Sequence, residues 1–168
     1  MRSYTVYCDG AIKGNGRVIA ESTSASMIEK QTEYGADVRF IVSRKVGSTS
    51  SNISELIAAI QALTYIQWPA RFIIYSDSEY LVKGFNERMK KWVKNDWVLD
   101  SGSPVANKDL WMTLNNLGER HDVLFIWVKA HSGDEKNEVV NKLAQDLLRN
   151  PDKFKGKSTY LDRKLILV

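Results

Sequence analysis

The stretch Ile53–Asp77, ISELIAAIQALTYIQWPARFIIYSD, decides the fold. Ile53, Leu56, Ile57, Ile60 and Leu63 recur at three- and four-residue spacing, the period of a helix with one apolar face. Asn52 with Glu55 three residues on fits a capping box at its start, and Pro69 marks its exit. Phe72, Ile73, Ile74 and Tyr75 then form a short unbroken apolar run, as expected of a strand buried on both faces. That run ends at a carboxylate, Asp77, and the helix-then-buried-strand order reads as α/β.

Toward the N-terminus, Ser3–Asp9 alternates, with Tyr4, Val6 and Cys8 on one face and Thr5, Tyr7 and Asp9 on the other. This is a strand that also ends in a carboxylate. A loop over Gly10–Gly16 follows. Two further strands are expected at about Arg17–Ser24 and Gly35–Arg44, separated by a polar turn around Glu29–Thr32, which makes an antiparallel meander. Toward the C-terminus, Ser78–Asp96 reads as helical with an interruption at Gly84, and Asn107–His121 as a helix capped by Asn107. Asp122–Lys129 is expected to be a second buried strand. Asp134–Arg149 places Val139, Val140, Leu143, Ala144, Leu147 and Leu148 on one helical face, and Pro151 stops it. The order is βββαβαααβα, one domain over residues 1–150. A basic tail, 151–168, follows, whose end at Lys164–Val168 reads as either a short strand or a mobile end.

With 168 residues, 43% of them hydrophobic, the chain can build a proper core. The 24 Lys and Arg against 20 Asp and Glu give a net charge of +4, which permits a polyanionic partner without requiring one. The single cysteine, Cys8, excludes an internal disulfide framework and a Cys-rich zinc site, and points to a reducing compartment. No apolar run reaches the length of a membrane span, and the first residues lack the pattern of a signal peptide. A soluble, cytoplasmic, monomeric protein is therefore expected.

Asp9 ends the first strand, Asp77 the fourth, and Glu55 lies in the first turn of the helix between them. Neighbouring strands of one sheet can bring all three to a common edge. Acids crowded in this way raise one another's pKa, and a hard divalent cation such as Mg²⁺, which wants oxygen ligands, is the natural compensation. Taken singly, each has a plainer reading: Glu55 as a helix cap, and the two aspartates as turn residues after strands.

The stretches YCDGAIKGNG, SELIAAIQAL, IYSDSEYLVKGF, NKDLW and WVKAHSGDEKNEVVNKLA, in this order and spacing, resemble the motifs of the type 1 ribonuclease H family. The resemblance runs from about Tyr4 to Asn150. It implies a mixed five-stranded sheet, three antiparallel strands followed by parallel ones, with helices on both faces, in agreement with the order read above. It also implies an endonuclease that cuts the RNA strand of an RNA–DNA hybrid by two-metal in-line displacement, leaving 5′-phosphate and 3′-hydroxyl ends, with Mg²⁺ or Mn²⁺. Asp9, Glu55 and Asp77 match the family's metal-binding acids. His131 of the KAHSG loop matches a mobile histidine that assists proton transfer or product release, whereas His121 matches nothing.

The chain departs from the family at Asn141 of VVNKLA, where the resemblance calls for a fourth acid. Asn keeps a carbonyl ligand but loses the charge that helps hold two cations close together. Weak metal binding and low cleavage are therefore expected. Because every other motif is intact, replacement of an original Asp is the favoured origin of Asn141.

For the substrate, the resemblance assigns Gly10 beside Asp9, and Asn15, Ser51 and Asn52 at the minor groove, where 2′-hydroxyls distinguish RNA. Family members often carry amides where Ser51 and Glu79 stand. Ser50 and Asn107 fit a pocket for a DNA-strand phosphate. Residues 83–97 carry Lys83, Arg88, Lys90, Lys91 and Lys94 beside Trp92 and Trp97, and resemble a basic handle that grips the DNA strand. The tryptophans are expected to pack beneath the handle while the lysines meet phosphate. Two rivals stand beside this reading: a catalytically silent nucleic-acid-binding module, and another nuclease of the same superfold.

Overall fold

In the computed structural model, which describes residues 1–14, 19–154, 159–160 and 163–167, the chain forms one mixed sheet with helices on both faces. Its strands are β1 (Ser3–Gly14), β2 (Ile19–Thr32), β3 (Gly35–Val46), β4 (Arg71–Ser76) and β5 (Asp122–Trp127). β1–β2–β3 are antiparallel neighbours, while β4 joins β1 and β5 joins β4 in parallel, as the five-stranded reading expects. Two strands extend it: β7 (Arg163–Leu167) runs parallel to β3, and the short β6 (Thr159–Tyr160) pairs with β7, giving the order β5-β4-β1-β2-β3-β7-β6.

β2 and β3 are longer than their composition suggests. Glu29–Thr32 belongs to β2, and the turn lies at Glu33 and Tyr34, closed by Gly35 at φ +117°. The polar residues of β2 are tolerated because helices on either face satisfy them. Ser24 Oγ and Ser26 Oγ donate to the carbonyls of Ser54 and Ala58 at 2.7 and 2.6 Å, and Thr23 Oγ1 donates to that of Ala144 at 2.6 Å. Buried Glu29 is paired with Lys136 at 2.7 Å. Seryl composition reads as a turn only when such partners are invisible.

Helix α1 (Ser51–Tyr65) lies on one face, where Ala58, Ala59 and Ala62 let it approach the sheet closely. Its cap is Ser50, whose Oγ accepts from the Ile53 N–H at 3.2 Å. The expected Asn52–Glu55 capping box is therefore replaced, and Glu55 is free to turn inward. After β4 come α2 (Glu79–Lys83), a π-helical turn over Gly84–Arg88 and α3 (Met89–Lys94). Gly84 thus continues the helix with a bulge. A Cβ there would sit 2.1 Å from the indole of Trp111, so the glycine is what admits this tryptophan.

Helix α4 (Lys108–Arg120) packs against α1 and brings the fully buried Trp111 and Leu114. Asn107 occupies its cap position with a left-handed backbone, φ +57°, and its side chain donates to Tyr80 Oη at 3.0 Å in place of capping. β5 is an edge strand, not a strand buried on both faces: Leu124 and Trp127 are about half exposed while Phe125 is buried. Helix α5 (Glu135–Arg149) covers the other face, packing Val140, Leu143 and Leu147 on Met27, Phe40 and Val42, with Phe154 buried in the same cluster. Among the described residues, no helix is long and apolar enough to cross a membrane.

Candidate active site

Parallel pairing of β1 with β4 sets Tyr7 opposite Tyr75, their rings stacked at 4.9 Å. Two residues farther along stand Asp9, still in β1, and Asp77, just past the end of β4, so the register carries both aspartates to one edge. Asp9 lies within β1, which continues to Gly14 along β2; it is the pairing with β4 that stops before it. Glu55 reaches the same edge from the first turns of α1. A Cβ on Gly10 would lie 2.2 Å from Ser54 Oγ, so the glycine after Asp9 lets α1 approach. Gly10 N–H donates to Asp9 Oδ1 at 2.8 Å and to Glu55 Oε1 at 3.2 Å, fastening both carboxylates.

Asp9, Glu55 and Asp77 each offer an oxygen within 4.8 Å of the others. Asp9 is 3% and Glu55 9% exposed. Burial, then the neighbouring Asp9 and Asp77, hold Glu55 well above the ordinary carboxylate range. Asp9 is raised by burial and by Asp77, and Asp77 by burial. Glu55 Oε2 is buried without a hydrogen-bond partner. Crowded acids, an orphaned buried oxygen and an all-oxygen donor set fit a hard divalent cation.

Asn141, on α5, joins this cluster: its Nδ2 donates to Asp9 Oδ2 at 2.8 Å. One turn earlier Asn137, 2% exposed, sits where its side chain opposes the rise in the Asp77 carboxyl's pKa. Asn137 is not among the residues that the sequence motifs single out, although its four-residue spacing from Asn141 on one helix is a usable signal. His131 is exposed at a left-handed position, φ +52°, with Nδ1 3.4 Å from Glu138 Oε1. It lies close enough to Asp77 for its charge to oppose the rise in that carboxyl's pKa. Trp127 Nε1 donates to the main-chain oxygen of Asp77 at 3.1 Å. His121 is buried edge-on against Phe72, away from these groups.

Ser50 is half-buried at the cap of α1, and Ser51 and Asn52 are exposed in its first turn, on the helix that carries Glu55. Asn15 falls outside the described residues. Lys90, Lys91 and Lys94 are exposed on α3, Lys91 reaching Asp100 at 2.7 Å. Beneath them Trp97 is buried and Trp92 packs between it and Trp111, at ring separations of 6.4 and 5.1 Å.

A family model described as RNase H matches residues 1–149. The ribonuclease H of Neorickettsia sennetsu is 36% identical over 146 residues, covering 86% of this chain and 92% of that protein. That of Clostridium botulinum is 35% identical over 151 residues, covering 88% and 97%. Among solved structures, LC9-RNase H1, described as a type 1 RNase H with the type 2 active-site motif, superposes with a TM-score of 0.79 at 23% identity, over 99% of this chain and 87% of that one. The RNase H domain of PFV superposes at 0.64 with 18% identity, over 86% and 90%. At those identities the structural likeness is one of fold.

Proposed function

The chain belongs to the RNase H family, and from that membership we propose that it is an endonuclease acting on the RNA strand of RNA–DNA hybrids, with Asp9, Glu55 and Asp77 holding its metal ions. The observation that supports this most is the meeting of three remote carboxylates within 4.8 Å, one with an orphaned buried oxygen. When bound, Mg²⁺, or Mn²⁺ in its place, supplies activation of the attacking water and neutralises charge at the scissile phosphate.

The chain's own residues prepare that site. Gly10 and Asn141 donate to Asp9 from two sides and fix its plane. Burial and Asp9 oppose ionisation of Glu55, and positive charge arriving at the site relieves that opposition. His131, on an exposed loop beside Asp77, is placed to take up or deliver a proton at the departing group. Ser51 and Asn52, with Asn15, are assigned to the minor groove, and Ser50 and Asn107 to a DNA-strand phosphate. We place the enzyme in the cytoplasm as a monomer, its catalytic domain spanning residues 1–150.

Asn141 lowers the activity of this chain. An amide brings no negative charge, and its N–H occupies Asp9 Oδ2, so the site holds paired divalent cations weakly. Asn141→Asp is expected to raise Mg²⁺-dependent cleavage of a hybrid by about tenfold or more, roughly 1.4 kcal/mol. No gain counts against the assignment. Cleavage of double-stranded RNA or DNA by the same variant would move the chain to another nuclease class. A second reading, a silent hybrid-binding module, draws on the same Asn141–Asp9 bond, and predicts binding without cleavage in both forms.

Residues 83–97 are assigned to the grip on the DNA strand. Replacing Lys90, Lys91 and Lys94 by Ala should weaken hybrid binding and flatten log Kd against log salt by about 0.9 for each phosphate that the lysines no longer neutralise. Unchanged affinity and slope remove this segment from the interface.

A further inference from the structure

Asp77 stands in the short joint between β4 and α2, so its carboxylate is placed only as firmly as that joint is held. Sheet pairing stops short of it. The ladder with β1 ends at Tyr75 opposite Tyr7, and the ladder with β5 ends at Ser76 opposite Trp127, where the Val128 N–H donates to the Ser76 carbonyl at 3.0 Å. Two bonds tie the ends of the joint: the Ser78 N–H donates to Ser76 Oγ at 3.1 Å, and the Leu81 N–H to Ser78 Oγ at 3.2 Å. Both pass Asp77 by. Its own main chain is held from the neighbouring strand, where Trp127 Nε1 donates to the Asp77 carbonyl at 3.1 Å. Burial does not explain why a tryptophan stands there. Phe125, two residues back on the same face of β5, is buried against Phe85 with ring centroids 4.7 Å apart. Trp127 is 45% exposed, the most exposed of the chain's five tryptophans, so much of its apolar area stays in water. What an indole offers that Phe or Leu does not is one N–H donor on a rigid ring, and that donor is spent on the residue that carries the carboxylate.

We propose that Trp127 is a positioning residue of the metal site, whose indole N–H fixes the main chain at Asp77 and so keeps that carboxylate beside Asp9 and Glu55. This rests on the metal-site reading given under Proposed function. The tether counts most when the three acids are ionised and no cation is bound. Asp9 and Glu55 are buried within the fold, whereas Asp77 is only half-buried and has room to swing outward under their repulsion. A joint fixed in advance spares the cation the cost of ordering this ligand.

The test is calorimetric titration of MnCl₂ into the parent chain and two variants, with melting curves to establish that each is folded. Trp127→Phe keeps an aromatic ring and loses the donor. Benzothienylalanine in place of Trp127 keeps the whole indole shape, with sulfur where the N–H stood, and separates the hydrogen bond from packing. Mn²⁺ affinity is expected to fall about tenfold in both. In an Asn141→Asp background, where turnover is measurable, kcat on a hybrid should fall by a similar factor with KM unchanged. A packing role alone lowers affinity in the Phe variant and leaves the isostere within twofold of the parent, which overturns the inference. So does a rise in KM at unchanged kcat, the mark of a substrate contact. Failure of the parent itself to bind Mn²⁺ removes the metal reading and this inference together.

Discussion

Asp9→Asn is expected to abolish hybrid cleavage and, without divalent cations, to melt at a higher temperature than its parent. Both effects have one cause. Asp9 sits beside Glu55 and Asp77 and accepts from the Gly10 N–H and from the Asn141 amide. Loss of its charge removes a ligand from the proposed metal site. In the Asn141→Asp background the loss should be on the order of 10³-fold, corresponding to the several kcal/mol that metal-assisted charge stabilisation supplies. Stability moves the other way. Asp9 is buried beside two other acids, and an amide oxygen there still accepts from Gly10 while the new N–H₂ can donate to the Asn141 side-chain oxygen once that amide flips. Each ~1 kcal/mol of relieved repulsion raises Tm by roughly 2–4 °C in a chain of this size. A variant that cleaves at the parental rate, or melts lower, would contradict the assignment of Asp9 as a buried ligand.

The second large effect is a metal response that depends on pH. Asp9, Glu55 and Asp77 all hold their protons above the ordinary range in the folded chain, chiefly through burial. Between the unfolded carboxylate values near 4 and those raised values, the native state binds more protons than the unfolded one. Stability from the cluster is therefore fully present below about pH 4 and is lost as pH rises through the folded pKa values. At pH 7.5 the acids are at their most repulsive, and Mg²⁺ relieves them. A cation present at 100 times its Kd contributes about 2.7 kcal/mol, a Tm rise of roughly 5–10 °C. As pH falls toward 5, protons compete more strongly for the site and the rise should shrink. His121, whose pKa is depressed by burial, acts oppositely below about 6.5. The informative quantity is thus the parent minus Glu55→Gln, in which the His121 contribution cancels. Equal Mg²⁺ shifts at pH 5 and 7.5 would disprove proton–metal competition at this cluster.

Much of this is legible in one dimension because periodicity and chain punctuation are local. The helical repeat from Ile53 to Leu63, the run Phe72–Tyr75 and the apolar face of α5 need only their neighbours in sequence to declare themselves. The failures are equally local. The β2 expected from sequence ends near Ser24 because the polar run Glu29–Thr32 looks like a turn; Ser26 and Glu29 are buried strand residues. The partners that make burial tolerable for Ser24 and Ser26, the carbonyls of Ser54 and Ala58, lie some thirty residues away. β5 looks like a strand buried on both faces because its apolar run cannot report that, among the described residues, no strand pairs on its far side. The cap of α1 falls to Ser50 in place of Asn52 because Glu55 is drawn inward to Gly10 and Asp9.

At the site itself, the identities of Asp9, Glu55 and Asp77, and the missing charge at Asn141, were determined by the sequence through motif order. Residue type and spacing are written there directly. What only the tertiary structure decided is how these groups act on one another. The Tyr7–Tyr75 register sets both aspartates at one edge, Gly10 admits α1, and Asn137 is buried with its side-chain oxygen unsatisfied. The physical reason is that repulsion, desolvation and orphaned hydrogen bonds are properties of distance and burial, which the order of residues along a chain does not contain.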